Sequence, residues 1–148
     1  MIADLFRQHQ RIAIDTNFCV YALDGYAHYI ELCRVVLEAA FNQKILLVVS
    51  GISEMELLVK PIRDNNKLAL RQTQLFLHEM PGVVVQDISR TVLGMAAGIR
   101  ARENLKAIDA IVAASALIAG CTIILGNDVQ MKKQLRAIPY ICLDDFLS

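Results

Sequence analysis

The stretch RIAIDTNF, residues 11–18, decides the fold class of this chain. Three apolar residues, Ile12 to Ile14, predict a buried strand, and Asp15 follows at the point where that strand ends. Thr16 and Asn17 come next, and apolar residues with helical spacing then resume. Taken alone, Asp15 is interpreted as the N-cap of that helix.

The same order of a short apolar run followed by a helical segment recurs along the chain. The further predicted strands are KILLVV (44–49), VVV (83–85), CTIILG (121–126) and YICL (140–143). One of the intervening helices is predicted to open near Ser53 and to end before Pro61, and Gly25 is predicted to separate two others. This alternation predicts an α/β fold, a three-layer α/β/α sandwich with a mostly parallel central sheet, in one domain spanning residues 1–148.

Charge balance, cysteine spacing and the lengths of the apolar runs limit the kinds of site and location expected for this chain. The 15 basic residues balance the 15 acidic ones, so nucleic-acid binding would need a local basic patch. The four cysteines lack the spacing of zinc or disulfide sites, which favours reduced thiols and a cytoplasmic location. Residues 1–10 lack the apolar core of a signal peptide, and Gly120 interrupts the longest apolar run, so no membrane association is expected.

Four acids, Asp15, Glu56, Asp109 and Asp128, stand at the starts of predicted helices. Singly, each is interpreted as structural: Asp109 and Asp128 as N-caps, and Glu56 as the second half of a capping box with Ser53. In a parallel sheet, however, the strand-to-helix turns share the carboxyl edge, where open α/β folds bind ligands. We therefore predict that all four acids lie on this edge.

Carboxylates gathered in one crevice repel one another and raise each other's pKa. A hard divalent cation removes this conflict, and oxygen ligands favour Mg²⁺ or Mn²⁺. We therefore predict a catalytic metal site formed by Asp15, Glu56, Asp109 and Asp128. Glu54 is excluded from it because it lies two helical residues from Glu56 and points about 200° away.

Four segments together resemble the PIN-domain family, and more narrowly the VapC-type toxin ribonucleases. They are IAIDTNFCVYAL (12–23), VVSGISEMELLV (48–59), IDAIVAASALIAGCTIILGNDVQM (108–131) and IPYICLDDF (138–146). The resemblance implies an α/β/α fold and cleavage of RNA phosphodiesters that depends on Mg²⁺ or Mn²⁺ and leaves a 5′-phosphate. It also implies a homodimer, and a small antitoxin protein whose tail enters the site.

The resemblance also implies roles for individual positions. The residues that match the family's acids are Asp15, Glu56, Asp109 and Asp128, with Asn127 as an alternative for part of the last place. Asn17 and Ser115 match polar positions that orient the acids, with helix-start hydrogen bonding and core packing as the alternatives. Gly126 departs from the family, which often has Thr or Ser there, and Ser115 replaces a frequent Thr.

For the RNA substrate, two groups of basic residues are candidate phosphate contacts, with a solvated helix face as the alternative for each. The first group is Arg100, Arg102 and Lys106, and the second is Lys132, Lys133 and Arg136.

The predicted function is that of a metal-dependent endoribonuclease, the toxin of a toxin–antitoxin pair. The alternative is a catalytically weak PIN-like module that binds RNA or protein without cutting. A phosphatase with an aspartyl-phosphate intermediate is disfavoured because Thr16 and Asn17 follow Asp15 in place of a D-x-D pattern. A redox or receiver-like domain is disfavoured because neither C-x-x-C nor a pair of acids at the first strand's end is present.

Overall fold

The apolar runs of the sequence form the strands of one sheet in the computed structural model, which describes residues 1–147. Ser148, the last residue of the predicted domain, lies outside the described residues. The strands are Arg11–Ile14 (β1), Leu46–Ser50 (β2), Val83–Gln86 (β3), Ile123–Gly126 (β4) and Tyr140–Cys142 (β5). The α-helices are Leu5–Gln8 (α1), Thr16–Asp24 (α2), Ile30–Phe41 (α3), Gly51–Arg63 (α4), Lys67–His78 (α5), Arg90–Glu103 (α6), Ala107–Ile118 (α7) and Val129–Gln134 (α8), and 3₁₀ turns lie at Ile2–Asp4 and Leu143–Phe146.

The sheet has the strand order β3-β2-β1-β4-β5, and each neighbouring pair runs parallel. Ile14, the last residue of β1, pairs with Val49 of β2 on one side and with Leu125 of β4 on the other. The chain moves outward from β1 through β2 to β3 and then returns to the opposite side of β1. This reversal of direction lies between β1 and β4, and such a point opens a crevice at the carboxyl ends of the strands.

Helices cover both faces of the sheet, which confirms the predicted three-layer sandwich. Ile12 and Ile14 pack with residues of α2, α3 and α5, whereas Ala13 between them packs with α6 and α7. All three side chains are buried. Because the central strands β1, β2 and β4 are covered on both faces, they appear in the sequence as continuous apolar runs without alternating polar residues.

The predicted bounds of α4 are wrong at both ends. The helix begins at Gly51, directly after β2, and Ser50 is its N-cap, with its Oγ accepting the Ile52 N–H at 3.3 Å. The capping box predicted for Ser53 and Glu56 is therefore absent from this helix. At the other end, α4 continues through Pro61 to Arg63, so the proline lies in the last turn of the helix and does not end it.

Gly25 separates α2 from α3, as predicted. Its φ of 67° lies in the left-handed region, where glycine ends helices without steric cost. The four cysteines are buried free thiols. None of the helices between residues 1 and 147 combines the length and the apolar character that crossing a bilayer requires.

Candidate active site

The four predicted acids line a single cleft of about 170 Å³ at the carboxyl edge of the sheet. The acids are Asp15 after β1, Glu56 in α4, Asp109 in α7 and Asp128 after β4. The other lining residues are Thr16, Asn17, Ile108, Val112 and Met131. Among the described residues, no lysine or arginine lines this cleft, so its charge is strongly negative when the acids are ionised.

Asp15 is both the N-cap of α2 and a wall of the cleft. Its Oδ1 accepts the Phe18 N–H at 3.0 Å, and its Oδ2 accepts the Tyr140 hydroxyl at 2.5 Å. Burial raises the pKa of the Asp15 carboxyl to about 6, although both hydrogen bonds oppose the rise, and the charge of Asp128 raises it further. Helix capping is therefore a correct but incomplete description of this residue.

Asp109 lies inside the first turn of α7 and is not its N-cap as predicted. The helix begins two residues earlier, at Ala107, and Lys106 is the residue before it with extended backbone. Burial raises the pKa of the half-buried Asp109 carboxyl most, and the charges of Asp128 and Glu56 raise it further, against the effect of Lys106. Asp109 is therefore within electrostatic reach of two other acids of the cleft.

Glu56 is held by a hydroxyl from α2. Thr16 donates its hydroxyl hydrogen to Glu56 Oε1 at 2.7 Å, and Ser53 Oγ lies 2.8 Å from Thr16 Oγ1. A threonine hydroxyl carries one hydrogen, and Thr16 donates it to the Glu56 carboxylate because a carboxylate only accepts hydrogen bonds. Glu54 points away from the cleft, as predicted, and its Oε2 lies 2.6 Å from His78 Nε2 on α5.

Asp128, and not Asn127, lines the cleft after β4. Asp128 caps α8, with its Oδ1 accepting the Met131 N–H at 3.0 Å. The side chain of Asn127 instead donates to the Tyr29 hydroxyl at 3.0 Å and accepts the Asp144 N–H at 3.1 Å. Asn127 therefore joins the start of α3 to the C-terminal 3₁₀ turn beside the site, with its polar atoms engaged there.

The comparison with protein families agrees with this architecture. A sequence profile described as the PIN domain matches residues 12–134. The chain belongs to the PIN-domain family. The matched range contains all four acids of the cleft.

Solved structures with the fold of this PIN domain include three toxin–antitoxin proteins. The similar chain in VapBC2 from Rickettsia felis, bound to a DNA fragment from its promoter, has a TM-score of 0.71 at 17% identity, with 89% of this chain and 98% of that chain covered. Mycobacterium tuberculosis VapC20, a toxin that cleaves the sarcin–ricin loop, has a TM-score of 0.65 at 13% identity, with coverage of 86% and 98%. A toxin–antitoxin complex from Klebsiella pneumoniae gives 0.59 at 18% identity, with coverage of 86% and 94%. No curated protein matches the sequence at a significant level.

The two polar residues predicted to orient the acids of this PIN domain lie in different surroundings. Asn17 is exposed and lines the cleft beside Asp15. Ser115 is buried outside the lining; its hydroxyl donates to the Ile111 carbonyl at 2.7 Å and lies 2.8 Å from Ser50 Oγ. Ser115 therefore fits the alternative of core packing, because it joins α7 to the start of α4.

The basic residues predicted to contact RNA lie on the surface of the PIN domain. Arg100, Arg102 and Lys106 are exposed, and Arg100 Nε donates to the Leu105 carbonyl at 3.1 Å. Lys106 lowers the pKa of Asp109, so of these three it is the one with an electrostatic link to the cleft. In the second group, Lys132 Nζ forms a salt bridge with Asp145 at 2.7 Å.

Thr16 and Tyr140 contact the acids but were not identified from the sequence. Thr16 directly follows Asp15, and its polar side chain at the start of a helix is the sequence feature that could have indicated a contact with the acids. Tyr140 lies in a short apolar strand, where a tyrosine is expected only to fill the core. A buried phenol hydroxyl nevertheless needs a hydrogen-bond partner, and here the partner is Asp15.

The chemistry of the cleft fits a hard divalent cation. Four carboxylates, in a cleft whose described lining contains no lysine or arginine, offer oxygen donors and leave a negative charge that a cation would balance. In residues 1–147, however, no three acidic, histidine or cysteine side chains stand close enough together to hold an ion as they are arranged. The acids of this PIN domain therefore match the donor type that Mg²⁺ or Mn²⁺ requires, and some of the four side chains would have to move closer together to enclose an ion.

Proposed function

We propose that this PIN domain is a metal-dependent endoribonuclease and the toxin of a toxin–antitoxin pair. The observation that carries the proposal is the single cleft lined by four acids from distant parts of a PIN-family chain. The similar fold of VapC20, described as a toxin that cleaves the sarcin–ricin loop, supports RNA as the substrate. Similarity to proteins solved as toxin–antitoxin complexes supports a small antitoxin as the partner.

In the proposed mechanism, Asp15, Glu56, Asp109 and Asp128 hold Mg²⁺ or Mn²⁺. The chemistry that such an ion would supply is a water molecule of lowered pKa and stabilisation of negative charge on the phosphoryl and leaving oxygens. The backbone N–H of Phe18 and the hydroxyl of Thr16 keep two of these carboxylates oriented toward the cleft. Lys106, beside Asp109, is the proposed contact for an RNA phosphate.

The proposal extends to the assembly and location of the protein. We infer that it acts in the cytoplasm, as a homodimer, on RNA that reaches the exposed edge of the cleft. The four buried free thiols support a reducing compartment.

A module that binds RNA or protein without cutting is the second candidate. It is favoured by the arrangement of the acids, since no three metal-binding side chains within residues 1–147 form a ready-made cluster. The two candidates predict different products in the same experiment, because a binding module retains intact RNA under every metal condition.

The test of the proposed function is a cleavage assay on a panel of structured RNAs with Mg²⁺, Mn²⁺ or EDTA. We expect cleavage in at least one of the metals and none in EDTA. In the active condition, Glu56→Gln should lower kcat/KM by about 10- to 100-fold or more, because a proposed metal ligand loses its charge.

Glu54→Gln provides the matched control for this assay. Glu54 lies on the same helix as Glu56, but it contacts His78 outside the cleft, so its loss should leave cleavage close to that of the wild type. Cleavage that persists in EDTA, or equal activities of the Glu56→Gln variant and the wild type, would overturn the proposed mechanism. Intact RNA in all conditions would favour the binding module.

A further inference from the structure

Tyr140 is a buried, non-acidic residue whose polar atom lies among the acids. It is the first residue of β5, its side chain is 6% exposed, and it packs in the core beneath α7 and α8. Its hydroxyl lies 2.5 Å from Asp15 Oδ2 and 2.9 Å from the backbone nitrogen of Asp128. The hydroxyl therefore reaches two of the four positions that form the cleft, without itself lining the cleft.

The direction of both hydrogen bonds follows from the groups involved. A carboxylate only accepts, and a backbone N–H only donates, so the Tyr140 hydroxyl donates to Asp15 and accepts from Asp128. This chain of two hydrogen bonds joins the turn after β4 to the end of β1 through a residue of β5. Each oxygen of Asp15 accepts one hydrogen bond within the protein and keeps further lone pairs for another ligand.

Gly126 provides the space in which the Tyr140 hydroxyl meets Asp15. It is the last residue of β4, and a Cβ atom at this position would overlap both Asp15 Oδ2 and the Tyr140 hydroxyl oxygen. Its backbone is ordinary strand, so conformational freedom does not explain the glycine. The missing side chain at position 126 and the phenol at position 140 therefore belong to one arrangement around Asp15.

We propose that Tyr140 is a positioning residue: it fixes the Asp15 carboxylate relative to the backbone of Asp128 so that both acids can bind one metal ion. This inference rests on the proposed function, because it assigns Tyr140 a role toward the ion that Asp15 would bind. Tyr140 acts through the two acids and does not touch the RNA. Its removal should therefore affect metal affinity and turnover, and leave RNA affinity unchanged.

The variant Tyr140→Phe tests this role because it deletes the hydroxyl and retains the ring in the core. Isothermal titration of the purified chain with Mn²⁺ should show a dissociation constant raised by about 10- to 100-fold, the range typical for groups that orient metal ligands. In the cleavage assay, kcat should fall at saturating RNA while KM for RNA stays at the wild-type value. Titration with Mn²⁺ alone provides a readout that does not depend on turnover.

Two further variants make the result specific. Tyr26→Phe removes a hydroxyl from a tyrosine that is 46% exposed and does not line the four-acid cleft, and it should match the wild type in both measurements. Gly126→Ala introduces a Cβ atom against the same carboxylate and should weaken Mn²⁺ binding while the Tyr140 hydroxyl is still present. This variant keeps the proposal testable if circular dichroism shows that Tyr140→Phe does not fold.

The outcomes separate this inference from the proposed function. Mn²⁺ affinity and kcat at wild-type levels in a folded Tyr140→Phe, or in Gly126→Ala, would overturn the role of Tyr140 and leave the nuclease proposal standing. Equal losses in Tyr140→Phe and Tyr26→Phe, or a change confined to KM, would also overturn it. A wild-type chain that neither binds Mn²⁺ nor cleaves RNA would overturn both proposals.

Discussion

Asp109→Asn is expected to lower kcat for RNA cleavage by at least about 100-fold while the protein keeps its fold, because it removes a proposed metal ligand and even groups that only orient such ligands contribute about 10- to 100-fold. The amide has the shape of the carboxyl but lacks its charge. Burial and the charges of Asp128 and Glu56 raise the pKa of Asp109, so ionising it is unfavourable in the metal-free protein. Removing the charge should therefore not destabilise the fold.

Single-turnover cleavage at saturating Mg²⁺ or Mn²⁺ measures the effect of Asp109→Asn, and thermal unfolding by circular dichroism reports on the fold. Asp87→Asn is the matched control because Asp87 follows β3 at the same edge of the sheet but is exposed outside the cleft. We expect Asp87→Asn to cleave like the wild type. A folded Asp109→Asn protein with wild-type kcat would remove Asp109 from the mechanism.

Asp15→Asn is expected to abolish cleavage and, at neutral pH without metal, to relieve an electrostatic cost in the folded state. The pKa of Asp15 is about 6 in the folded protein, against an ordinary value of 3.8 that applies to the unfolded chain. The folded state therefore holds this proton more tightly. The stability that Asp15 contributes is fully present below pH 3.8 and is lost as the pH rises through 6.

The shift of the Asp15 pKa corresponds to about 3 kcal/mol between the two ends of this range. Asparagine is neutral throughout it, and its Oδ1 can still accept the Phe18 N–H as an N-cap. The free energy of unfolding of Asp15→Asn minus that of the wild type should therefore increase between pH 4 and pH 7.5.

Urea unfolding at several pH values in EDTA measures this difference, with Asp87→Asn as the variant whose difference from the wild type should stay constant. Addition of Mg²⁺ or Mn²⁺ should then stabilise the wild type and not Asp15→Asn, because ligand binding stabilises only the state that binds. A difference that is independent of pH, or that decreases toward neutral pH, would show that the buried carboxylate carries no such cost.

The fold could be predicted because strands that are buried on both faces of the sheet are continuous apolar runs in the sequence. Ile12 to Ile14 are the apolar, buried residues of β1, and Asp15 directly follows the strand. The order of strands and helices then places Asp15 and Asp128 at one edge, since parallel strands share their carboxyl edge. Local pattern was thus sufficient for the sandwich and for placing the four acids at one edge of the sheet, but it does not contain their convergence on one cleft.

Local pattern was insufficient where a distant contact decides the role of a side chain. Ser53 and Glu56 have the spacing of a capping box, but the helix begins at Gly51, and both side chains contact Thr16 of α2 instead. Ser115 sits on the same helix as Asp109, yet its partner is Ser50 at the end of β2, which does not line the cleft. These contacts join residues that are far apart in the chain, so spacing within one segment does not contain them.

Gly126, where the PIN family often has Thr or Ser, is likewise explained by a contact between distant parts of the chain. Within its own strand, the glycine only removes a side chain near the fourth acid. In the folded chain, the neighbouring strand β5 brings the Tyr140 hydroxyl into hydrogen-bond distance of Asp15. The environment of Asp15 thus depends on β1, β4 and β5 together.

Diffraction data collected at the manganese absorption edge from crystals soaked in Mn²⁺ test the central claim most directly. The claim is that Asp15, Glu56, Asp109 and Asp128 act together on a divalent ion. It predicts an anomalous peak inside their cleft, with carboxylate oxygens of Asp15 and Asp109 at about 2.0–2.3 Å from the ion. A cleft without a peak at saturating Mn²⁺, or Mn²⁺ bound only at other residues, would contradict it.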